Sequence, residues 1–181
     1  MSDCHEQLLE LLDRSGGRLL ALLTRLTLRE DVAEELMQEL FIKLSTASHR
    51  ARIDCWEAYA CRTAIHLAFD WRRRRRKRQT WPLEDVREPV SPARGPLGDV
   101  VQKEAFEQVL VAVERLNGTS REAFVMRYIQ QDSYETIAEQ LGKTPHQIRA
   151  LCFRALNRLR DTLGCDESPT GRKGAQRVEH E

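Results

Sequence analysis

Residues 133–160 read SYETIAEQLGKTPHQIRALCFRALNRLR. The stretch predicts a short helix that ends at Gly142 and a second helix that starts at once. Glycine adopts the left-handed conformation that stops a helix. Thr144 then supplies a hydroxyl cap, Pro145 stands at the first helical position and Gln147 at the third. The sequence therefore predicts a helix, a tight turn and a helix.

The second of these two helices divides its residues between two faces. Apolar side chains recur at helical spacing on one face, which therefore packs against the domain. The opposite face is polar and basic, and a recognition helix enters the DNA major groove by its N-terminal turns. The candidate DNA-binding residues are Thr144, Pro145, His146, Gln147, Arg149, Ala150, Phe153 and Arg154. The alternative is the solvated face of an ordinary helical hairpin.

Helical spacing also runs through the rest of the chain. Apolar residues recur at helical intervals over residues 7–44, with a weak point at Gly16 and Gly17. A third helix is predicted to start at Asp54, with a capping box to Glu57. We find no segment with the period of two that is typical of strands. The predicted fold is all-α: two small helical domains, a bundle and a helix-turn-helix domain, joined by a flexible linker.

Composition indicates the domain boundaries. Four prolines and two glycines between residues 79 and 98 disfavour a continuous helix. The segment after Gly164 is polar and aperiodic, as disordered tails are. The predicted divisions are a first domain over residues 1–78, a linker over 79–100, a second domain over 101–163 and a tail over 164–181.

Residues 72–78 are seven consecutive basic side chains, although the formal net charge of the chain is only +1. Local charge sets the field that a phosphate meets at close range, so the tract indicates a salt-sensitive contact with nucleic acid. Aromatic residues precede the tract, and unpaired bases stack on such rings. Trp71 is expected to be exposed, whereas Tyr59 and Phe69 suit the core better. A disordered basic segment is the alternative.

The features that the sequence lacks disfavour several other classes of protein. There is no leader-like segment and no apolar run of membrane-spanning length, so we expect a cytoplasmic protein without membrane insertion. The five cysteines are scattered, which suits reduced, buried thiols better than a metal site. Without a nucleophile beside a base, a phosphate loop or a metal cluster, the sequence predicts no catalysis, no cofactor and no metal.

Residues 29–44, REDVAEELMQELFIKL, carry the most specific resemblance to a known family. They resemble the core-polymerase-binding helix of the extracytoplasmic-function (ECF) group of the sigma-70 family. The resemblance implies that five residues face the coiled-coil clamp of the large polymerase subunit: Asp31, Glu34, Glu35, Gln38 and Glu39. Helical spacing separately places all of these but Glu39, together with Ile42, on the side away from the core. The alternative is an ordinary solvated helix face.

Residues 58–73, AYACRTAIHLAFDWRR, are similar to the family's helix for the downstream (−10) promoter element. The DNA-binding residues that this implies are His66, Asp70, Trp71, Arg72, Arg73, Arg74, Arg75 and Arg76. His66 stands where the family usually has Asn. Residues 116–163 are similar to the family's domain for the upstream (−35) element, although Asn117 and residues 145–148 depart from its usual sequence.

The resemblance implies a sigma factor that binds core RNA polymerase, recognises the −35 and −10 elements and captures unpaired −10 bases to melt the promoter. The implied partners are core RNA polymerase, promoter DNA and, as is frequent in the family, an anti-sigma factor. A two-domain regulator that dimerises through its first helices is the alternative from another class. The central arginine tract argues against that alternative, because such a regulator does not need it.

Overall fold

A computed structural model of the protein describes residues 2–48, 53–80 and 97–164. These ranges are helical and contain no strand, so the all-α prediction is confirmed. The helices are α1 (Ser2–Thr27), α2 (Glu30–Ser48), α3 (Trp56–Thr80), α4 (Leu97–Glu114), α5 (Gly118–Phe124), α6 (Tyr134–Leu141) and α7 (Pro145–Leu163), with a π-helical turn (Val125–Ile129) directly after α5. The first three helices form one domain and the last four form a second.

The first domain is a three-helix bundle in which each helix packs against the other two. Fully buried side chains at its centre are Leu23, Leu26, Leu40, Leu44, Ile65 and Phe69. Helix α1 is continuous through Gly16 and Gly17, where the sequence predicted a weak point. Burial of the leucines on both sides of the glycine pair outweighs the cost of about 1 kcal/mol for each glycine in a helix.

Helix α3 starts later than the sequence predicts, at Trp56. The carboxylate of Glu57 does not close a capping box with Asp54, and instead accepts a hydrogen bond of 2.8 Å from the hydroxyl of Ser15. Ser15 is buried on α1, and a buried hydroxyl without a partner is costly. The capping-box prediction is therefore wrong, because a tertiary contact takes the side chain that the local motif needs.

The local chemistry of α6 and α7 follows the sequence closely. The hydroxyl of Ser133 accepts a hydrogen bond from the amide of Thr136, and Gly142 ends α6 with a φ of 61°. A capping box then opens α7. Oγ1 of Thr144 accepts from the amide of Gln147 at 3.3 Å, and Oε1 of Gln147 accepts from the amide of Thr144 at 3.0 Å. The predicted helix, turn and helix are confirmed.

A π-helical turn extends α5 toward the first domain. The amide of Gln130 donates to the carbonyl of Val125 at 3.0 Å, one residue further back than in an α-helix. Gln131 then has a φ of 65°, which turns the chain into the start of α6. Helical periodicity does not predict this geometry.

The domain limits of the structure overlap with the predicted linker. Helix α3 extends to Thr80 and α4 begins at Leu97, so the predicted linker over 79–100 includes helix at both ends. Residues 81–96, and the predicted tail beyond Gly164, lie outside the described residues. Within the part of the chain that is described, none of the helices has both the length and the apolar character that a membrane span requires.

Candidate nucleic-acid and protein interfaces

The outer face of α7 presents the candidate duplex-binding residues. Exposed there are Thr144, His146, Gln147, Arg149, Phe153 and Arg154, with Pro145 and Ala150 half-buried. The buried side consists of Ile148, Cys152, Ala155 and Leu159. The two faces therefore separate as the sequence predicts. The Phe153 ring is 63% exposed, which is unusual for a large aromatic side chain without a partner.

Arg149 is oriented by two residues of α6. Its guanidinium carbon lies 5.3 Å from the ring centroid of Tyr134, and Nη2 lies 3.4 Å from Oε1 of Glu135. Both partners of this ion pair are more than half exposed, so it is weak and exchangeable. A guanidinium in this position can donate two hydrogen bonds to a guanine edge, and an exposed ring such as that of Phe153 can contact a thymine methyl.

The outer face of α2 is acidic. Asp31, Glu34, Glu35 and Gln38 are exposed and Glu39 is half-buried. The guanidinium of Arg29 donates to both carboxylate oxygens of Asp31, at 3.2 and 2.5 Å, and these hydrogen bonds lower the pKa of Asp31. Lys43 approaches Glu39 at 3.6 Å. The face therefore retains several carboxylates available to a partner.

The acidic face of α2 continues into an apolar patch. Ile42 is 63% exposed and Phe41 is 39% exposed. Helical spacing predicted that Ile42 lies on the side of α2 away from the core, but it did not identify Phe41 as an exposed residue. Its position seven residues after Glu34, on the same helix face, could have revealed it. An acidic margin around exposed apolar side chains is typical of a protein-binding surface.

The candidate −10 residues on α3 are not equally accessible. Arg72 has a side chain only 5% exposed. It donates to the carbonyl of Leu26 at the end of α1, at 3.1 Å, and to both carboxylate oxygens of Glu107 on α4, at 2.6 and 3.2 Å. Arg73 pairs with Asp70 one turn earlier on the exposed side. Arg72 is thus part of the domain packing, while Arg73 and Arg74 are exposed.

The aromatic residues of α3 differ in part from expectation. Trp71 was predicted to be exposed but is half-buried against the core, and Arg75 lies over its ring with 5.4 Å to the centroid. Tyr59 is 37% exposed, although the core was expected for it. Phe69 is fully buried, as expected. Helical spacing alone does not say how far each side chain on a helix is exposed.

The three candidate sets lie on three different helices and do not converge on one site. The polymerase set is on α2, the −10 set on α3 and the −35 set at the start of α7. Among the described residues, no group of three or more His, Cys, Asp or Glu side chains is arranged to hold a metal ion. Three candidate surfaces on three separate helices suit an extended partner that contacts several of them.

A helical bundle followed by a helix-turn-helix domain with a basic outer face defines a two-domain helix-turn-helix protein. Residues 11–78 match the family model "Sigma-70 region 2" and residues 106–159 match "Sigma-70, region 4". Together the matches cover about two thirds of the chain. The chain therefore belongs to the sigma-70 family. The regulator alternative does not predict a region 2 match in the first domain.

Curated relatives of the chain are ECF sigma factors, as the sequence predicts. "ECF RNA polymerase sigma factor SigD" of Mycobacterium tuberculosis is 26% identical over 133 residues, 72% of this chain. "ECF RNA polymerase sigma factor SigE" of Mycolicibacterium smegmatis is 28% identical over 163 residues, 89% of this chain. The matches span 63% of the length of these relatives. A solved structure, the sigma factor RpoE in complex with the anti-sigma factor NepR from Bartonella quintana, aligns over 92% of this chain and 100% of its own, with 21% identity and a TM-score of 0.47.

Proposed function

We propose that this chain binds core RNA polymerase and directs it to promoters through −35 and −10 elements, without catalysis of its own. The observation that carries the proposal is a separation of charge between two exposed faces of one chain. Helix α2 presents an acidic face, and helix α7 presents a basic one. Family membership supports the assignment of polymerase to the first face and of duplex DNA to the second.

The α2 face suits a protein partner better than a nucleic acid. Asp31, Glu34 and Glu35 would repel phosphates, whereas they attract a basic protein surface. Phe41 and Ile42 add exposed apolar area to the same face, which supplies the desolvated centre that protein interfaces need. These features support the assignment of the core-polymerase set to α2.

The α7 face suits the major groove of the −35 duplex. His146 and Gln147 stand in its first turn, and Arg149 follows about one turn along the same helix. This is the part of a recognition helix that reaches base edges. Arg154 lies further along, where a guanidinium can reach the backbone of the duplex.

The α3 helix suits unpaired DNA at the −10 element. Trp71 offers a ring for stacking, and Arg75 over that ring adds a cation–π contact. Arg73 and Arg74, which are both exposed, provide charge for phosphates. Captured, flipped bases would then stabilise the melted promoter. The expected site of action is the cytoplasm, where polymerase works, and an anti-sigma partner remains a prediction.

A transcription assay tests the proposal. Core polymerase freed of other sigma factors is mixed with the chain and with fragments of the genome of the same bacterium, and the transcripts are sequenced. We expect new transcripts that begin at a fixed distance downstream of one shared two-element motif. Core polymerase alone is the control, and transcripts no more specific than that control would contradict the proposal.

A further inference from the structure

Tyr134, the first residue of α6, has arginine side chains from two other elements against its ring. The guanidinium carbon of Arg127, in the π-helical turn, lies 4.5 Å from the ring centroid, and that of Arg149, on α7, lies 5.3 Å from it. The side chain of Tyr134 is half-buried and packs against the hydrophobic core. The ring therefore connects the core of the second domain with an arginine of the proposed recognition helix.

The π-helical turn fixes the position of the Tyr134 ring. Nη1 of Arg127 donates to the carbonyl of Asp132 at 2.8 Å, two residues before Tyr134. Tyr128 lies beside Tyr134, and burial together with this neighbouring phenol raises the pKa of Tyr128 above its ordinary 10.0. The ring of Tyr128 contacts that of Phe124, with 4.8 Å between the centroids. Because Phe124 is buried, these contacts join Tyr134 to closely packed side chains that have little freedom to move.

The second partner of Arg149, Glu135, makes a contact of a different kind. The two side chains are 58% and 65% exposed, and Nη2 of Arg149 is the atom that contacts the carboxylate. A guanine edge is bound by N–H groups in the plane of the guanidinium, so it competes with Glu135 for the same donors. A ring contact occupies the flat face of a guanidinium and leaves the donors in its plane free. The contact with Tyr134 is therefore compatible with base binding, whereas that with Glu135 is not.

We propose that Tyr134 is a positioning residue that sets the base preference of Arg149. Its ring holds the guanidinium near the orientation that a base edge requires, so less side-chain entropy is lost when the base is bound. Glu135 holds Arg149 only while no DNA is present. Tyr134 acts through Arg149 and contacts neither a base nor a phosphate. The inference rests on the proposed function, because it requires α7 to lie in the major groove of a duplex.

This role confines the effect of Tyr134 to one part of the recognised sequence. A cation–π contact at an exposed site corresponds to about two- to fivefold in an equilibrium constant. Loss of the ring should therefore reduce the preference for the base that Arg149 reads by about that factor and leave the other positions unchanged. Phosphate contacts carry no base preference, so the affinity for random duplex and its dependence on salt should stay the same.

Selection from a pool of random DNA duplexes measures the base preference at every position. The full chain is loaded on core polymerase, and the bound duplexes are recovered and sequenced. We expect Arg149→Ala to remove the preference at one or two adjacent base pairs. Tyr134→Leu should reduce it about two- to fivefold at the same base pairs. Tyr134→Phe keeps the ring and should select the same sequences as the wild type.

Two comparisons separate positioning from a structural role. In the Arg149→Ala background, Tyr134→Leu should change no base preference further, because it acts only through that arginine. The matched control is Phe106→Leu, which removes a half-buried ring from α4 of the same domain and should leave every preference unchanged. Urea denaturation checks that both leucine variants are folded. If Tyr134→Leu is not, Tyr134→Met replaces it under the same criteria, because its longer side chain fills more of the space.

The inference is overturned when the wild type selects no preferred bases, or when Arg149→Ala alters none of them. It is also overturned when Tyr134→Leu leaves the Arg149-dependent preference intact, weakens all positions equally, or acts as strongly in the Arg149→Ala background. A Tyr134→Phe variant that binds selected and random duplexes more weakly would contradict it too, since the hydroxyl would then contact a phosphate. The proposed function fails separately, when the chain does not bind core polymerase; the free chain then selects the duplexes under the same criteria.

Discussion

Nε2 of His66 lies 2.8 Å from Oε1 of Glu122, a residue 56 positions further along the chain and in the other domain. Nε of Arg62 lies 3.4 Å from the second oxygen of the same carboxylate. The position at which the family usually has Asn is thus a domain contact in this structure. A substitution at His66 therefore alters domain packing as well as any DNA contact, so DNA recognition is tested more sharply on α7.

We predict that Arg149→Ala weakens binding to the −35 duplex without weakening polymerase binding. Loss of a base contact by a guanidinium costs about 1–3 kcal/mol, or about 5- to 150-fold in affinity. The ion pair with Glu135 is exposed, so its loss leaves the stability of the domain almost unchanged. Fluorescence anisotropy with the promoter duplex and size-exclusion chromatography with core polymerase measure the two properties.

Arg158→Ala is the matched control, because Arg158 is exposed on the same helix but far from its N-terminal turns. It loses the same charge, so it should weaken binding to specific and random duplexes by the same modest factor. Equal loss of specificity in both variants would contradict the assignment of base reading to Arg149.

Two glycine substitutions should change the stability in opposite directions. Gly142 has a φ of 61°, and Gly142→Ala should lower the free energy of unfolding by about 1 kcal/mol, because a side chain disfavours the left-handed conformation. Gly17 lies within α1 with open space around it, and Gly17→Ala should raise that free energy by about 0.5–1 kcal/mol. Urea denaturation measures both, and a stabilising Gly142→Ala would contradict the helix stop.

Alkaline pH should destabilise the fold through Cys61. Burial raises the pKa of this thiol from its ordinary 9.0 to about 12. Between these values the unfolded chain releases the proton while the folded chain keeps it, so stability falls as pH rises, by at most about 1.4 kcal/mol per pH unit. Below pH 9 the contribution is fully present.

Urea denaturation at pH 8.5 and pH 10.5 checks this dependence on the wild type and on Cys61→Ala. The variant lacks the titrating thiol, so the stability difference between the two proteins should shrink as pH rises. A constant difference for Cys61→Ala would show that this thiol is not protected by burial.

The parts of the molecule that follow from the sequence are governed by neighbouring residues. The capping box of Thr144 and Gln147 and the stop at Gly142 depend on chemistry within a few positions, and they appear as predicted. Contacts such as Ser15 with Glu57 and His66 with Glu122 join residues 42 and 56 positions apart. No periodicity encodes such pairs, because they depend on how finished helices pack.

The burial of Arg72 likewise depends on contacts between residues that are far apart in the sequence. A run of basic residues on a helix indicates charge on all sides, and only the docking of α1 and α4 decides which arginine is enclosed. The separation of α7 into a buried and an exposed face was predictable, since one domain core covers it. The accessibility of the side chains on α3 was not predictable, since contacts from both domains determine it.

Binding to core RNA polymerase is the property on which the proposed function depends. The purified chain is mixed with core polymerase that lacks other sigma factors, and co-elution is measured by size-exclusion chromatography. The test variant carries Glu34→Ala and Gln38→Ala on α2, and its control carries Glu104→Ala and Gln108→Ala, the same residue types at the same spacing on the exposed side of α4. We expect the wild type and the control to co-elute with polymerase and the α2 variant to elute alone. A folded wild-type chain that elutes apart from polymerase would contradict the account.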